Sequence, residues 1–173
     1  MCNMTSSVLK PIVGVTGHRT MIHDKATIKA KLKEMLKDLN AGHVITGMAL
    51  GFDQLVAETC IEEGISYTAA IPCFGQDRLW PQDSQRHYRK LVDKASRTKV
   101  VSPGDYHPSK MHIRNQWIVN NSSVMICYWD GNDKGGTASC LKFAKSKNKE
   151  VRNVFTSLSL PAAFVTISSE KTP

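Results

Sequence analysis

Three glycine-bearing stretches decide how this chain folds: Gly14-Val15-Thr16-Gly17-His18-Arg19, Thr46-Gly47-Met48-Ala49-Leu50-Gly51-Phe52-Asp53 and Gly135-Gly136-Thr137. Each of them follows an apolar run rich in β-branched residues and precedes a helix-like pattern. Glycine at a strand-to-helix turn lets the backbone approach a ligand, and the free N–H groups of the following helix attract an anion. The repeated turn therefore predicts a sheet edge that binds a nucleotide or another phosphorylated small molecule.

Outside these turns, the sequence alternates short apolar runs with amphipathic helices. This alternation indicates a parallel sheet covered on both faces, with the ligand crevice at the carboxyl ends of the strands. We predict an α/β, Rossmann-like three-layer sandwich with a mostly parallel sheet of about six or seven strands. The predicted strands are 12–15, 44–46, 67–71, 99–102, 124–129 and 151–155, and the predicted helices are 24–40, 53–63, 81–96, 111–121 and 137–147.

The size and composition suit a single domain. The chain has 173 residues, of which 41% are hydrophobic and 22% are charged. We predict one domain over residues 1–173, with a regular core at about 10–155 and a frayed tail from 168. The sequence shows neither an apolar run long enough to span a bilayer nor a secretory signal. The five cysteines form no Cys-x-x-Cys pair, so we expect a reducing, cytoplasmic setting without disulfides.

The net charge of +8 raises the hypothesis of nucleic-acid binding. Many of the lysines, however, lie at positions 25–37 and 142–149, on predicted helices whose other face is apolar. A solvated helix face accounts for these lysines without any ligand. We therefore expect nucleic acid to be a less favoured partner than a small molecule.

Several motifs occur in a fixed order along the chain. They are Thr16-Gly17-His18-Arg19, the 46–53 stretch with Ala57-Glu58, Ile71-Pro72-Cys73 with Gln76 and Trp80, Arg114-Asn115-Gln116-Trp117, Asn121-Ser122, Tyr128-Trp129-Asp130-Gly131 and Gly135-Gly136-Thr137. Together they resemble the YpsA-like branch of the SLOG superfamily, which is related to the Lonely Guy and SMF/DprA proteins. The resemblance covers about residues 10–155 and implies a Rossmann-like fold with a pocket for a nucleotide or a nucleotide-derived ligand.

One further stretch is similar to the Lonely Guy enzymes, the cytokinin-activating phosphoribohydrolases. In those enzymes an arginine at the position of Arg114 and a glutamate shortly after the threonine of the glycine turn serve catalysis. This sequence keeps the arginine, but Ala138-Ser139-Cys140-Leu141 follow Thr137, so the family glutamate is absent. Cleavage of an N-glycosidic bond stays open as an alternative activity. Its candidate catalytic residues are Arg114, Asp53 and Glu58.

The candidate ligand site gathers residues from the three turns. A guanidinium can bind two phosphate oxygens at once, so Arg114, predicted at an exposed helix start, is the leading phosphate ligand. Asp53 and Asp130 can accept hydrogen bonds from ribose hydroxyls, and His18 can act as an acid or a base near neutral pH. The predicted ligand-binding residues are Thr16, Gly17, His18, Arg19, Gly47, Met48, Ala49, Gly51, Asp53, Arg114, Asn115, Asp130, Gly135, Gly136 and Thr137.

Three classes of function follow. The favoured one is a sensor or sequestering protein that binds a nucleotide or a phosphoribosyl- or ADP-ribose-like small molecule. The alternatives are a phosphoribohydrolase-like enzyme acting on a nucleoside monophosphate and a protein that binds single-stranded nucleic acid. We expect a homodimer or higher oligomer, because exposed tryptophans and tyrosines offer apolar contact area. We expect no cofactor, no membrane contact and no metal, since the histidines show no metal-ligand spacing.

Overall fold

The computed structural model describes residues 9–159, and the expected frayed tail from residue 168 lies outside them. Within these residues, six strands alternate with five α-helices, and a short 3-10 helix follows at Phe155–Ser157. The strands are β1 (Ile12–Gly17), β2 (His43–Thr46), β3 (Tyr67–Ile71), β4 (Arg97–Val100), β5 (Val124–Tyr128) and β6 (Glu150–Asn153). The helices are α1 (Lys25–Asp38), α2 (Phe52–Glu63), α3 (Gln82–Lys94), α4 (Pro108–Asn120) and α5 (Gly135–Ser146). None of these helices is long and apolar enough to cross a membrane.

All six strands run parallel, in the order β4-β3-β2-β1-β5-β6. From β1 the chain adds β2, β3 and β4 outwards in one direction, and it then returns to place β5 on the other side of β1. The strand order therefore reverses between β1 and β5, where Gly17 pairs with Tyr128. In open α/β sheets, ligands bind outside the carboxyl ends of the strands at such a reversal. The predicted Rossmann-like α/β fold is confirmed.

Two buried clusters cover the two faces of the sheet. The larger cluster joins α1, α2 and α3 to the strands through side chains such as Leu32, Leu55 and Leu91. The smaller cluster joins α4 and α5 through Ile118 and Ala144. Because both faces are covered, β3 and β5 are buried along their whole length, which explains why they read as continuous apolar runs. The molecule thus has the three layers that the sequence predicts.

Local signals set the bounds of the first two helices. Asp24 caps α1 by accepting a hydrogen bond of 2.9 Å from the Thr27 amide. Helix α2 ends at Gly64, whose φ of 66° is the left-handed conformation that favours glycine. The buried stripe of α1 has the spacing of one helical face. It consists of Ile28, Leu32, Met35 and Leu36.

Three elements begin two or three residues earlier than the sequence pattern predicts. Strand β4 starts at Arg97 rather than 99, because its pairing with β3 begins where Arg97 meets Thr68. Helix α4 starts at Pro108 rather than 111, since proline is well suited to the first helical position. Helix α5 includes Gly135, which the sequence assigns to the preceding turn. The early start of α4 moves Arg114 from the helix start into the body of the helix.

The expectation of exposed tryptophans is wrong. Trp80 and Trp117 are half-buried against the two cores, and the indole N–H of the half-buried Trp129 donates to the Asn132 carbonyl at 2.7 Å. Trp80 and Trp117 pack at the edges of the two clusters, whereas Trp129 is held by its hydrogen bond to the following loop. Exposed apolar area comes instead from smaller groups and from one tyrosine. Examples are Phe74, Leu79 and Tyr106, which are 62%, 87% and 52% exposed.

Candidate functional site

A pocket of about 330 Å³ lies at the carboxyl edge of the sheet, beside the strand reversal. All three glycine-bearing turns contribute to its wall, and α4 closes the remaining side. The pocket is lined by Thr16, Gly17, His18, Arg19, Ala49, Asp53, Met111, Arg114, Asn115, Gly136 and Thr137. Ten of these eleven residues are among the predicted ligand-binding residues, and Met111 is the exception. The parallel sheet therefore gathers positions that are far apart in sequence.

The first turn brings a histidine and an aspartate together at the pocket rim. His18 lines the pocket, and its Nε2 lies 2.9 Å from Asp130 Oδ1. Asp130 is exposed and lies outside the lining. The Asn132 amide, which donates to this carboxylate, and then His18 lower the pKa of Asp130. Asp130 therefore orients His18, and its predicted contact with a ribose hydroxyl stays a prediction.

At two glycines of the second turn, the side chain of any other residue would overlap neighbouring atoms. A Cβ on Gly47 would lie 2.8 Å from Asp53 Oδ2 and would also overlap the Arg114 guanidinium. Gly51 has a φ of 86°, and a Cβ there would overlap the backbone of Arg19. Gly47 and Gly51 thus act by allowing close approach, and neither is in the pocket lining. The buried Met48 also lies outside the lining, whereas its neighbour Ala49 is part of it.

Asp53 is the central acidic group of the pocket. Its side chain is 5% exposed, and its Oδ2 accepts a hydrogen bond of 3.3 Å from the Ala49 amide. Its Oδ1 is buried and has no hydrogen-bond partner among residues 9–159. Burial raises the pKa of Asp53 to about 6, although the positive charge of Arg114 acts in the opposite direction. The carboxylate is thus ionised at neutral pH but incompletely satisfied.

Arg114 is buried, and the expectation of an exposed helix start is wrong. The residue is 5% exposed in the middle of α4, because that helix begins six residues before it. Its Nη1 donates to the Gly47 carbonyl and, at 3.3 Å, to the Ala70 carbonyl, while its Nε donates to Asn115 Oδ1 at 2.9 Å. Burial lowers the pKa of Arg114, and the carboxylate of Asp53 partly restores it. Most of its donors are therefore used inside the protein.

The third turn forms the amino-terminal end of α5. Gly136 and Thr137 line the pocket, whereas Gly135, with a φ of 93°, starts the helix just outside the lining. The N-cap residue Lys134 makes no side-chain capping hydrogen bond within the described part of the chain. The first N–H groups of α5 are therefore available to a ligand, and the helix dipole places partial positive charge there.

Glu58 does not join the site. Its carboxylate lies 2.9 Å from Lys29 Nζ and 2.9 Å from His87 Nε2, in an ion-pair cluster between α1, α2 and α3. These partners account for Glu58 as a structural residue, so its role as a catalytic candidate is not supported by its position. Within residues 9–159, no group of three or more His, Cys, Asp and Glu side chains could hold a metal ion.

Two residues of the site were missed by sequence reasoning. Met111 lines the pocket one helical turn before Arg114, a spacing that places both on one face of α4. Gln76 is buried beneath the pocket, where its Nε2 donates to the Gly47 carbonyl at 3.1 Å and its Oε1 accepts from Tyr88 at 3.3 Å. The helical spacing could have identified Met111, but only the folded chain shows the role of Gln76.

A parallel sheet with a strand reversal and a glycine-lined pocket beside it defines the class of Rossmann-like α/β proteins. Within this class, the chain belongs to the YspA SLOG family, whose family model matches residues 16–160. This membership confirms the resemblance to the SLOG superfamily. It establishes the family but not the ligand.

Individual relatives extend this picture. The SPbeta prophage-derived protein YoqJ of Bacillus subtilis strain 168 is 31% identical over 143 residues, covering 73% of this chain and 82% of that protein. Among solved structures, the single-stranded-DNA-binding DprA of Helicobacter pylori has a TM-score of 0.62 at 19% identity, and 83% of this chain spans 65% of its length. The molybdenum cofactor carrier protein of Chlamydomonas reinhardtii has a TM-score of 0.53 at 17% identity, over 84% of this chain and 76% of that one. At these identities, the two structures show a shared fold alone.

Proposed function

We propose that this protein binds a phosphorylated, nucleotide-derived small molecule at the carboxyl edge of its sheet and serves as a sensor or sequestering protein in the cytoplasm. The observation that carries the proposal is the uncapped amino-terminal turn of α5, at Gly136 and Thr137, in the wall of the pocket. Free N–H groups at a helix start, aided by the helix dipole, are well suited to a phosphate group.

The size and charge of the pocket support a small phosphorylated ligand. Its volume of about 330 Å³ lies at the low end of the range of about 300–1,000 Å³ typical of small-molecule sites. Arg19 at the rim is exposed and adds positive charge on the side where a ligand enters. A nucleoside monophosphate or a sugar phosphate is small enough for this volume and carries the negative charge that Arg19 would attract.

Binding without turnover is favoured over hydrolysis. Asp53 is the one carboxylate in the pocket lining among residues 9–159, and the residues after Thr137 do not supply the glutamate used by the Lonely Guy enzymes. The relative from Chlamydomonas reinhardtii is a carrier protein, which is consistent with a sequestering role on this fold. The DprA relative makes single-stranded DNA the main alternative ligand.

A substitution at Gly136 tests the proposal without disturbing the fold. A Cβ at this position meets nothing within 4 Å, and an aspartate in the first turn of a helix stabilises the helix. The variant Gly136→Asp therefore keeps α5 but places a carboxylate where the phosphate is proposed to bind. We expect AMP or ADP-ribose affinity, measured by calorimetry, to fall at least about 10-fold, whereas Gly136→Ala, the matched control, stays within about 3-fold of wild type.

Two further measurements separate the alternatives. Equal AMP affinity in Gly136→Asp and wild type would remove the α5 turn from the site and overturn the proposal. An oligonucleotide that binds more tightly than AMP, with an affinity that falls steeply as salt rises, would favour single-stranded nucleic acid. Chromatography can monitor the release of free adenine from AMP. Such release would show turnover, and the proposed function would then be hydrolysis rather than sequestration.

A further inference from the structure

The unpartnered oxygen of Asp53 requires an explanation beyond the fold. Asp53 is 95% buried, lines the pocket, and leaves Oδ1 without a hydrogen-bond partner among the described residues. Buried polar atoms are nearly always hydrogen-bonded, because an unsatisfied one costs about 1–3 kcal/mol. A carboxylate with a purely structural role would have both oxygens satisfied by the protein, as Oδ2 is by the Ala49 amide.

Arg114 and Gly47 lie beside Asp53. The Arg114 guanidinium and Asp53 Oδ2 occupy the space that a side chain on Gly47 would need, so the two charged groups lie against the same turn. Arg114 in turn is held by the carbonyls of Gly47 and Ala70 and by Asn115. The positive charge of Arg114 therefore favours the ionised carboxylate, and Oδ1 is the oxygen of this pocket-lining residue that has no hydrogen-bond partner among residues 9–159.

A carboxylate oxygen accepts hydrogen bonds and repels a phosphate. Asp53 and the uncapped end of α5 line the same pocket but prefer opposite groups, so a ligand must present a hydrogen-bond donor to one and an anion to the other. The donor could be a sugar hydroxyl or an amino group of a base. The lining contains no Phe, Tyr or Trp within residues 9–159, and its one aromatic ring is the imidazole of His18, whose Nε2 lies 2.9 Å from Asp130 Oδ1. A base therefore finds no large aromatic ring on which to stack.

We propose that the pocket recognises the sugar-phosphate part of its ligand, and that Asp53 Oδ1 selects ligands by accepting a hydrogen bond from a sugar hydroxyl. This inference rests on the proposed function, since it takes the phosphate to bind at α5. It makes Asp53 the residue that determines specificity. The base contributes little to affinity because it lies outside the part of the pocket that carries the polar groups.

Ligand analogues test the inference on the unaltered protein. We expect wild type to bind AMP and ribose 5-phosphate with affinities within about 5-fold of each other and to bind 2′,3′-dideoxy-AMP about 10- to 100-fold more weakly, the loss of one hydrogen bond to a charged group. In Asp53→Asn the preference for AMP over the dideoxy analogue should shrink to less than about 5-fold. The matched control Asp105→Asn, in an exposed loop, should keep the wild-type preference.

The outcomes distinguish this inference from the proposed function. Failure of AMP, ribose 5-phosphate and ADP-ribose all to bind would overturn both. Equal wild-type affinity for AMP and its dideoxy analogue would overturn the role of Asp53 while leaving phosphate binding at α5 intact. Tight binding of AMP with no binding of ribose 5-phosphate would show that the base, and not the sugar, is recognised. These comparisons need only wild type, so they hold even if Asp53→Asn does not fold.

Discussion

The substitution Asp53→Asn should change how the stability of the protein depends on pH. Burial raises the pKa of Asp53 from 3.8 to about 6, so the folded protein binds this proton more tightly than the unfolded chain does. Stability contributed by Asp53 therefore rises as the pH falls through 6 and levels off below 3.8. Asparagine has a similar shape but no titrating proton, which makes it suitable for isolating this contribution.

The magnitude follows from the two pKa values. Between pH 7.5 and pH 5, linkage gives wild type about 1.4 kcal/mol of additional unfolding free energy that Asp53→Asn does not gain. Loss of the charge beside Arg114 adds a constant offset to the variant, because Arg114 stays protonated throughout this range. The difference in unfolding free energy between wild type and variant contains the same offset at both pH values. The offset therefore cancels when the difference at pH 7.5 is subtracted from the difference at pH 5. Other titrating groups cancel in the same way.

Urea denaturation at pH 7.5 and pH 5 measures the effect directly. Asp105→Asn is the matched control, because Asp105 lies in an exposed loop outside the pocket lining. Asp105→Asn should therefore track wild type across the tested window. If the difference between wild type and Asp53→Asn is the same at both pH values, Asp53 is not the desolvated carboxylate that the structure indicates.

Two further predictions concern the interior and the assembly. Arg114→Ala should lower the unfolding free energy by about 3–5 kcal/mol, because it leaves the buried Asp53 carboxylate without the positive charge of Arg114 and removes the hydrogen bonds to the Gly47 and Ala70 carbonyls. The exposed Arg86→Ala should change it by less than about 0.5 kcal/mol. Urea denaturation of both variants checks this, and a small effect at Arg114 would contradict its burial. The protein should be a homodimer or larger in light scattering at micromolar concentration, and a monomer throughout would refute this expectation.

The pair formed by Asp53 and Arg114 is costly to bury. Desolvation shifts the pKa of both groups towards their neutral forms, so burial of the pair opposes folding more than their attraction favours it. The unsatisfied Oδ1 adds to that cost, which a bound hydroxyl would remove.

The mistaken expectation for Arg114 has a specific physical origin. Periodicity placed the start of α4 at residue 111, because Pro108 and Ser109 carry no apolar signal, but the proline begins the helix. Arg114 lies one turn before the buried Ile118, so it shares the buried face of α4, and the three additional residues place it inside the helix rather than at its start. Sequence alone predicts that a charged residue at this position is exposed. It does not reveal the partners of Arg114, because these are backbone carbonyls at residues 47 and 70.

Local sequence alone determined the parallel α/β architecture and the three glycine turns at one edge of the sheet, because hydrophobic periodicity and glycine placement act over a few residues. Only the tertiary structure decided which polar groups meet there. It brought Asp53 against Arg114, placed the free end of α5 in the same pocket, and took Glu58 into an ion-pair cluster elsewhere. These outcomes depend on strand order and helix packing, which join residues more than 60 positions apart and leave no periodic trace in the sequence.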